Sequence, residues 1–206
     1  MKGVKEAEEE NEDCSHTKAA EAWKEDQTIM AVLTLPRIEG EAEAAYIARI
    51  KADSREQAKK AREKGTEIHG MIEAGFRNVS STNRYFESAY RTVRDECGDV
   101  PWSTEKSFAN ICSYRHYGGK VDLHSDDFLL DIKTTDKPLY KCDTWPEHHM
   151  QLAAYDNGLP YPGRKCGILY INVNSAESVI RWVENEFITR GEKCFEALLD
   201  FWYAKT

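Results

Sequence analysis

The spacing of apolar positions changes character near residue 100, from a helical to an alternating period. Before it, the stretch GEAEAAYIARIKADSREQAKKAREKGTEIHGMIEAGF is rich in Ala, Glu, Lys and Arg, the strong helix formers, and predicts two or three helices between about Glu41 and Phe76. Gly65-Thr66 marks the junction where the helix carrying His69 begins, with Ile68, Met71 and Ile72 on its apolar face. Residues Asn83 to Asp95 predict another helix, broken by Gly98-Asp99-Val100-Pro101. Strands are then expected at about Ser103 to Tyr114, Lys120 to His124, Phe128 to Thr134, Gly167 to Val173 and Ser178 to Val183. Helices are expected from about Pro146 to Asn157 and from about Asn185 to Ala204. The order of helices, three strands, helix, two strands, helix predicts an α/β sandwich, a mixed sheet flanked by helices, and no internal repeat is visible. Ahead of this, Met1 to about Asp26 is Glu- and Lys-rich and reads as a disordered or weakly helical tail, followed by a short apolar segment, Met30 to Pro36.

Within the alternating part, GGKVDLHSDDFLLDIKTTD (Gly118 to Asp136) carries the chemistry. With Asp126-Asp127 as a two-residue turn, Ser125 faces Phe128, and counting back along both strands sets Asp122 opposite Asp131. Val121 and Leu123 are then expected to share one buried face with Phe128, Leu130 and Ile132, leaving Asp122, Asp131 and Lys133 on the other. Opposed cross-strand residues have Cβ atoms about 4.5 to 5.5 Å apart, so two carboxylates placed this way repel unless a cation lies between them. Mg²⁺ suits such a pair, since it takes oxygen ligands and relies on one or two carboxylates plus phosphate and water. Lys133 follows Asp131 by two residues, about 6.6 Å along the same face, close enough to orient a water or a phosphate oxygen.

Composition narrows the setting. A chain of 206 residues suits one well-buried domain, read as residues 31–206, preceded by an acidic, flexible extension over 1–30. Its 41% hydrophobic and 11% aromatic content argues against wholesale disorder. With no apolar run of about 18 residues and an acidic N-terminus, neither a membrane span nor a secretion signal is expected, which places the protein in the cytoplasm. Six scattered cysteines without a C-x-x-C pattern read as free thiols. The net charge of −8 looks wrong for a DNA-binding protein, but residues 1–30 hold four Lys against nine acids, so the other 176 residues carry only −3. A nearly neutral core can present a basic groove, and Arg84, Arg91, Arg94, Lys106, Arg115, Lys120, Lys137, Lys141, Arg164 and Lys165 are candidates to line one.

Asp122, then Asp131-Ile132-Lys133, then Gln151-Leu152-Ala153-Ala154-Tyr155 resemble the ordered motifs of the PD-(D/E)XK nuclease superfamily, in its RecB-type and phage-exonuclease branches. Upstream, Gly65-Thr66-Glu67-Ile68-His69 followed by Glu73 is similar to the helix that supplies a metal-binding His in mitochondrial and CRISPR-associated relatives. The resemblance runs from about Gly65 to Tyr155 and implies a restriction-endonuclease-like core. It implies that Asp122, Asp131 and the carbonyl of Ile132 hold Mg²⁺ or Mn²⁺, that His69 completes the site, and that Lys133 assists an attacking water. Glu105 resembles an additional acid of the phage enzymes that helps a second ion. Gln151 and Tyr155 share a helix face that borders the active site in the family, with His148 one turn earlier. Cys166 and Cys194 are isolated, so the four-cysteine iron-sulfur cluster of some relatives is not expected. No helicase motif or P-loop is present, which leaves a stand-alone nuclease domain.

By that resemblance the expected activity is metal-dependent hydrolysis of phosphodiester bonds in single- or double-stranded DNA by an exonuclease of phage-type recombination, replication or repair. A structure- or sequence-specific endonuclease is the alternative, and a nucleic-acid-binding protein that does not cut is a third reading. Some relatives form rings around DNA or work beside recombination or single-strand-binding proteins, so a homo-oligomer or such a partner fits the resemblance.

Overall fold

The computed structural model describes residues 16–78 and 82–205. Its elements run α1 (His16–Thr34), α2 (Glu43–Arg77), α3 (Arg84–Cys97), β1 (Ser103–Cys112), β2 (Arg115–His124), β3 (Phe128–Thr135), a 3-10 turn (Leu139–Lys141), α4 (Pro146–Gly158), β4 (Lys165–Asn172), β5 (Ser178–Trp182) and α5 (Asn185–Ala204). From His16 onward the acidic extension is helical, so the reading of a tail holds there only in its helical form. Residues 1–15, Cys14 among them, lie outside the described residues.

Two further expectations are corrected. The two or three helices expected before Phe76 are one helix of 35 residues, with no junction at Gly65-Thr66. An interior Gly costs about 1 kcal/mol relative to Ala, too little to stop so long a run of helix formers. Gly65 also lies where a Cβ would come 2.9 Å from Thr134 Oγ1, so its small size serves the approach of α2 to β3. The strand expected from Lys120 begins at Arg115 instead. Ser113 and Tyr114 make the β1–β2 turn with φ of 46° and 68°, left-handed values that neither residue type advertises.

By its internal contacts the chain divides into two compact units, one ending at Lys64 and the other starting at Gly65, later than the boundary at residue 30 read from charge. In the first, Ala31 and Ile50 are buried and Arg49 pairs with Glu41 at 2.9 Å.

The second unit is α/β. Its sheet has the order β1-β2-β3-β4-β5, antiparallel except for the parallel pair β3–β4, which α4 connects. One face meets the end of α2 and α3 through Ile68, Ile72, Phe76, Phe86 and Val93, packed with Leu123, Leu130, Ile132 and Leu169. The other face meets α4 and α5 through Leu152 and Ile188, packed with Val121, Leu129, Ile168 and Tyr170. Both faces are therefore buried, and Val121 does not share a cluster with Leu123 as expected. The strand is irregular between them: the β1–β2 ladder skips Glu105 and Asp122, and Glu105 has a φ of 53°. Such a local disruption lets neighbouring side chains leave strict alternation.

Helices α4 and α5 cross at Gly191, where an added Cβ would lie 2.5 Å from the backbone of His149. A backbone atom cannot swing away as a side chain can. We expect Gly191→Ala to destabilise the protein by up to about 2 kcal/mol in urea unfolding, because overpacking against backbone costs up to about 3 kcal/mol and the gain in helix propensity returns only about 1. Among the described residues, no helix is long and apolar enough to cross a membrane.

Candidate metal centre

Three elements converge at the middle of the sheet. The β2–β3 hairpin closes as the two-residue turn requires, with Ser125 N–H donating to the Phe128 carbonyl at 2.9 Å and Leu123 paired with Leu130. One step further the ladder opens. There the Ile132 N–H donates to Asp122 Oδ2 at 2.9 Å in place of a backbone acceptor. The contact seen for Ile132 is thus through its amide, which aims the Asp122 carboxylate.

Helix α2 brings His69 to the same carboxylate, with Nε2 3.0 Å from Asp122 Oδ2. The other ring nitrogen, Nδ1, lies 2.7 Å from Glu73 Oε1, one helical turn along. His69, Glu73 and Asp122 present ligand atoms within 4.8 Å of one another. Burial opposes charge on the His69 imidazole, but its hydrogen bond to Asp122 and the charges of Asp122, Glu73 and Asp131 outweigh it and raise its pKa above the ordinary value. Burial likewise pushes against ionisation of Asp122, yet the His69 contacts, the Ile132 amide and the Lys133 charge hold its pKa below the usual value.

Asp131 is more deeply placed, its side chain only 2% exposed. Lys133 Nζ approaches its Oδ2 to 2.8 Å, an ion pair whose alignment leaves that buried oxygen without a well-directed hydrogen bond. Burial pushes the Asp131 pKa up to about 6, helped by the charge of Asp122 and opposed by that of Lys133. A buried carboxylate oxygen lacking an aligned donor, beside a second carboxylate and an imidazole, is a donor set that suits a divalent cation of the Mg²⁺ or Mn²⁺ kind. Lys133 is held from its other side by Gln151 Oε1 at 3.3 Å, and Gln151 Nε2 donates to the Tyr155 hydroxyl at 2.9 Å. These two residues share a face of α4 and act on the site through Lys133.

Glu105 is drawn into a separate arm. Lys120 and Arg77 both pair with its carboxylate and, with the neighbouring Glu73 carboxyl, lower its pKa to about 2. Arg77 escaped the sequence reading, although 69, 73 and 77 are successive i, i+4 positions on one helix and that stripe could have shown it. Of the basic residues proposed for a groove, Arg164 is corrected. It is buried, pairs with Asp156 at 2.9 Å, and donates to the carbonyls of Ser125, Pro160 and Tyr161, so it closes a loop. Arg115 pairs with Asp200, and Lys165 covers the Trp182 ring. The described cysteines, Cys97, Cys112, Cys142, Cys166 and Cys194, are free.

No family model matches this chain, and no curated protein matches it. Among solved structures, one described as the crystal structure of SSO0001 is similar over 87% of this chain and 86% of that one, at 16% identity and a TM-score of 0.35, a likeness too slight to bear on fold or function.

Proposed function

We propose that this chain is a metal-dependent nuclease of the PD-(D/E)XK kind that hydrolyses phosphodiester bonds in DNA, as an exonuclease. The observation that carries the reading is the juxtaposition of Asp131, buried against Lys133 with an oxygen lacking a well-directed donor, with Asp122 and His69. Structural ion pairs are normally satisfied, whereas this one is left incomplete at the end of a sheet ladder.

Asp122, Asp131 and His69 would hold Mg²⁺ or Mn²⁺. Bound there, such an ion supplies Lewis acidity toward phosphoryl oxygens and lowers the pKa of water. The chain's own groups do the rest. Lys133 offers ammonium protons beside Asp131, where they orient a water nucleophile or neutralise charge on a phosphate oxygen. Gln151 and Tyr155 keep that ammonium from swinging into solvent. The Ile132 amide fixes the Asp122 carboxylate, and His69, whose Nε2 faces that carboxylate at 3.0 Å, would give up its proton there when a cation is held.

The test is incubation of end-labelled linear duplex, single-stranded and closed circular DNA with the protein in Mg²⁺, in Mn²⁺ and in chelator. Mononucleotide release from linear DNA, with circles intact and chelated samples inert, is the expected outcome. Cleavage of circles makes it an endonuclease. Retention of DNA without cutting in either metal makes it a binding protein and ends the nuclease reading.

A further inference from the structure

We propose that Glu73 is a positioning residue for His69: standing at Nδ1, it accepts the Nδ1–H and so frees Nε2 to give up the proton it shares with Asp122 and to hold the cation beside that carboxylate. The inference rests on the metal-centre reading above. Nδ1 and Nε2 lie on different edges of the imidazole; Glu73 Oε1 is 2.7 Å from the first and Asp122 Oδ2 is 3.0 Å from the second. The ring therefore stands between the two carboxyl groups. Although Glu73, His69 and Asp122 present atoms within 4.8 Å of one another, the Glu73 oxygen that is engaged serves the imidazole.

Glu73 is not a solvated acid that happens to lie near. It is only 6% exposed and follows the core residue Ile72 on α2. Its carboxyl also neighbours that of Glu105, which Lys120 and Arg77 hold in turn. The strand departs from regular geometry to allow this, since Glu105 has a left-handed φ of 53° and is missing from the β1–β2 ladder. Backbone strain of that kind persists only where surrounding contacts over-determine it. The arm from Lys120 and Arg77 through Glu105 and Glu73 thus ends on the imidazole, the arrangement by which an outer carboxylate fixes the tautomer and orientation of a metal-binding histidine.

The test is Mn²⁺ binding, measured by electron paramagnetic resonance on the full chain, for Glu73→Ala, Glu73→Gln, His69→Ala and the Glu73→Ala/His69→Ala double variant. Thermal melts in chelator show that each variant is folded. Glu73→Ala should weaken Mn²⁺ binding by about 10- to 100-fold. Glu73→Gln keeps an acceptor for Nδ1–H and should bind Mn²⁺ within a few-fold of wild type. Removing Glu73 should cost nothing further once His69 is gone, because its effect passes through the ring. If Gln is as damaging as Ala, or if the double variant binds more weakly than His69→Ala, Glu73 is a direct ligand and the proposal fails. Where His69→Ala leaves no measurable site, the contrast between Gln and Ala decides. A wild-type chain that binds no Mn²⁺ overturns both this inference and the nuclease reading. One that binds Mn²⁺ and shows the Gln rescue yet leaves DNA intact overturns the nuclease reading alone.

Discussion

Asp131→Asn should abolish metal-dependent DNA cleavage and, in chelator at pH 7.5, leave the fold more stable than the wild type. The two effects have one cause. Burial pushes the Asp131 pKa up to about 6, above the ordinary 3.8 of a solvated aspartate, even with Lys133 at 2.8 Å. A carboxyl whose folded pKa is raised binds its proton more tightly in the native state. That contribution is present below about pH 4 and is lost as the pH rises through about 6. Above that window the metal-free protein carries a buried anion that is incompletely compensated. The interval from 3.8 to about 6 corresponds to about 3 kcal/mol, of which Asn recovers part, since it keeps the shape without the charge and leaves its own amide imperfectly bonded. A rise in melting temperature of several degrees in chelator is the expected reading. Saturating Mn²⁺ should invert the order, raising the wild-type melting temperature and leaving Asp131→Asn nearly unmoved, because ligand binding stabilises only the state that holds the site. An Asp131→Asn protein that melts lower than wild type in chelator would contradict the assignment of Asp131 as a strained functional group.

Lys133→Ala should reduce cleavage by about 10² to 10³-fold, the loss found when one preorganised electrostatic donor is removed from an active site. Metal binding should move the other way. The ammonium sits 2.8 Å from Asp131 Oδ2 and its charge also lowers the pKa of Asp122, so it competes with a cation for the same carboxylates. Deleting it removes that competition, and calorimetric titration with Mn²⁺ should find affinity equal to or tighter than wild type. Lys133 is a third exposed, but its loss leaves the buried Asp131 carboxylate without its counter-charge, so in chelator the variant should fold with a lower melting temperature than wild type, and Mn²⁺ should restore it. DNA retention in a gel shift with Ca²⁺ should persist, falling as salt rises, because it rests on phosphate contacts elsewhere. Wild-type cleavage by Lys133→Ala would remove this residue from the catalytic centre. Collapse of Mn²⁺ binding would show instead that Lys133 holds the carboxylates in place.

The local pattern of residues determined more of this chain than its length would suggest. The two-residue turn at Asp126-Asp127 and the alternation around it set the hairpin register, because pairing next to a tight turn involves only near neighbours. The bounds of α5 and the order of elements from α3 onward followed from periodicity and breakers for the same reason. The spacing Asp131-x-Lys133 sets the two groups on one side of a strand, and Gln151 and Tyr155 lie one turn apart on α4. Other features were settled only when distant segments met. Whether Gly65 breaks or continues α2 depends on a weak local preference against the length of helix on either side and the close approach of Thr134. Val121 parts from Leu123 because β2 leaves the β1 ladder at Asp122, where β3 and α2 both make claims on one residue. Arg164 reads as a surface charge until Asp156 and three carbonyls close around it. Glu73 and Arg77 acquire meaning only through His69 and Glu105, which lie on a helix and a strand, 36 residues apart (105 − 69). Local order arises from interactions a few residues apart, which sequence displays directly; a charged residue's partner is chosen by the packing of whole elements, and only the tertiary structure makes that choice.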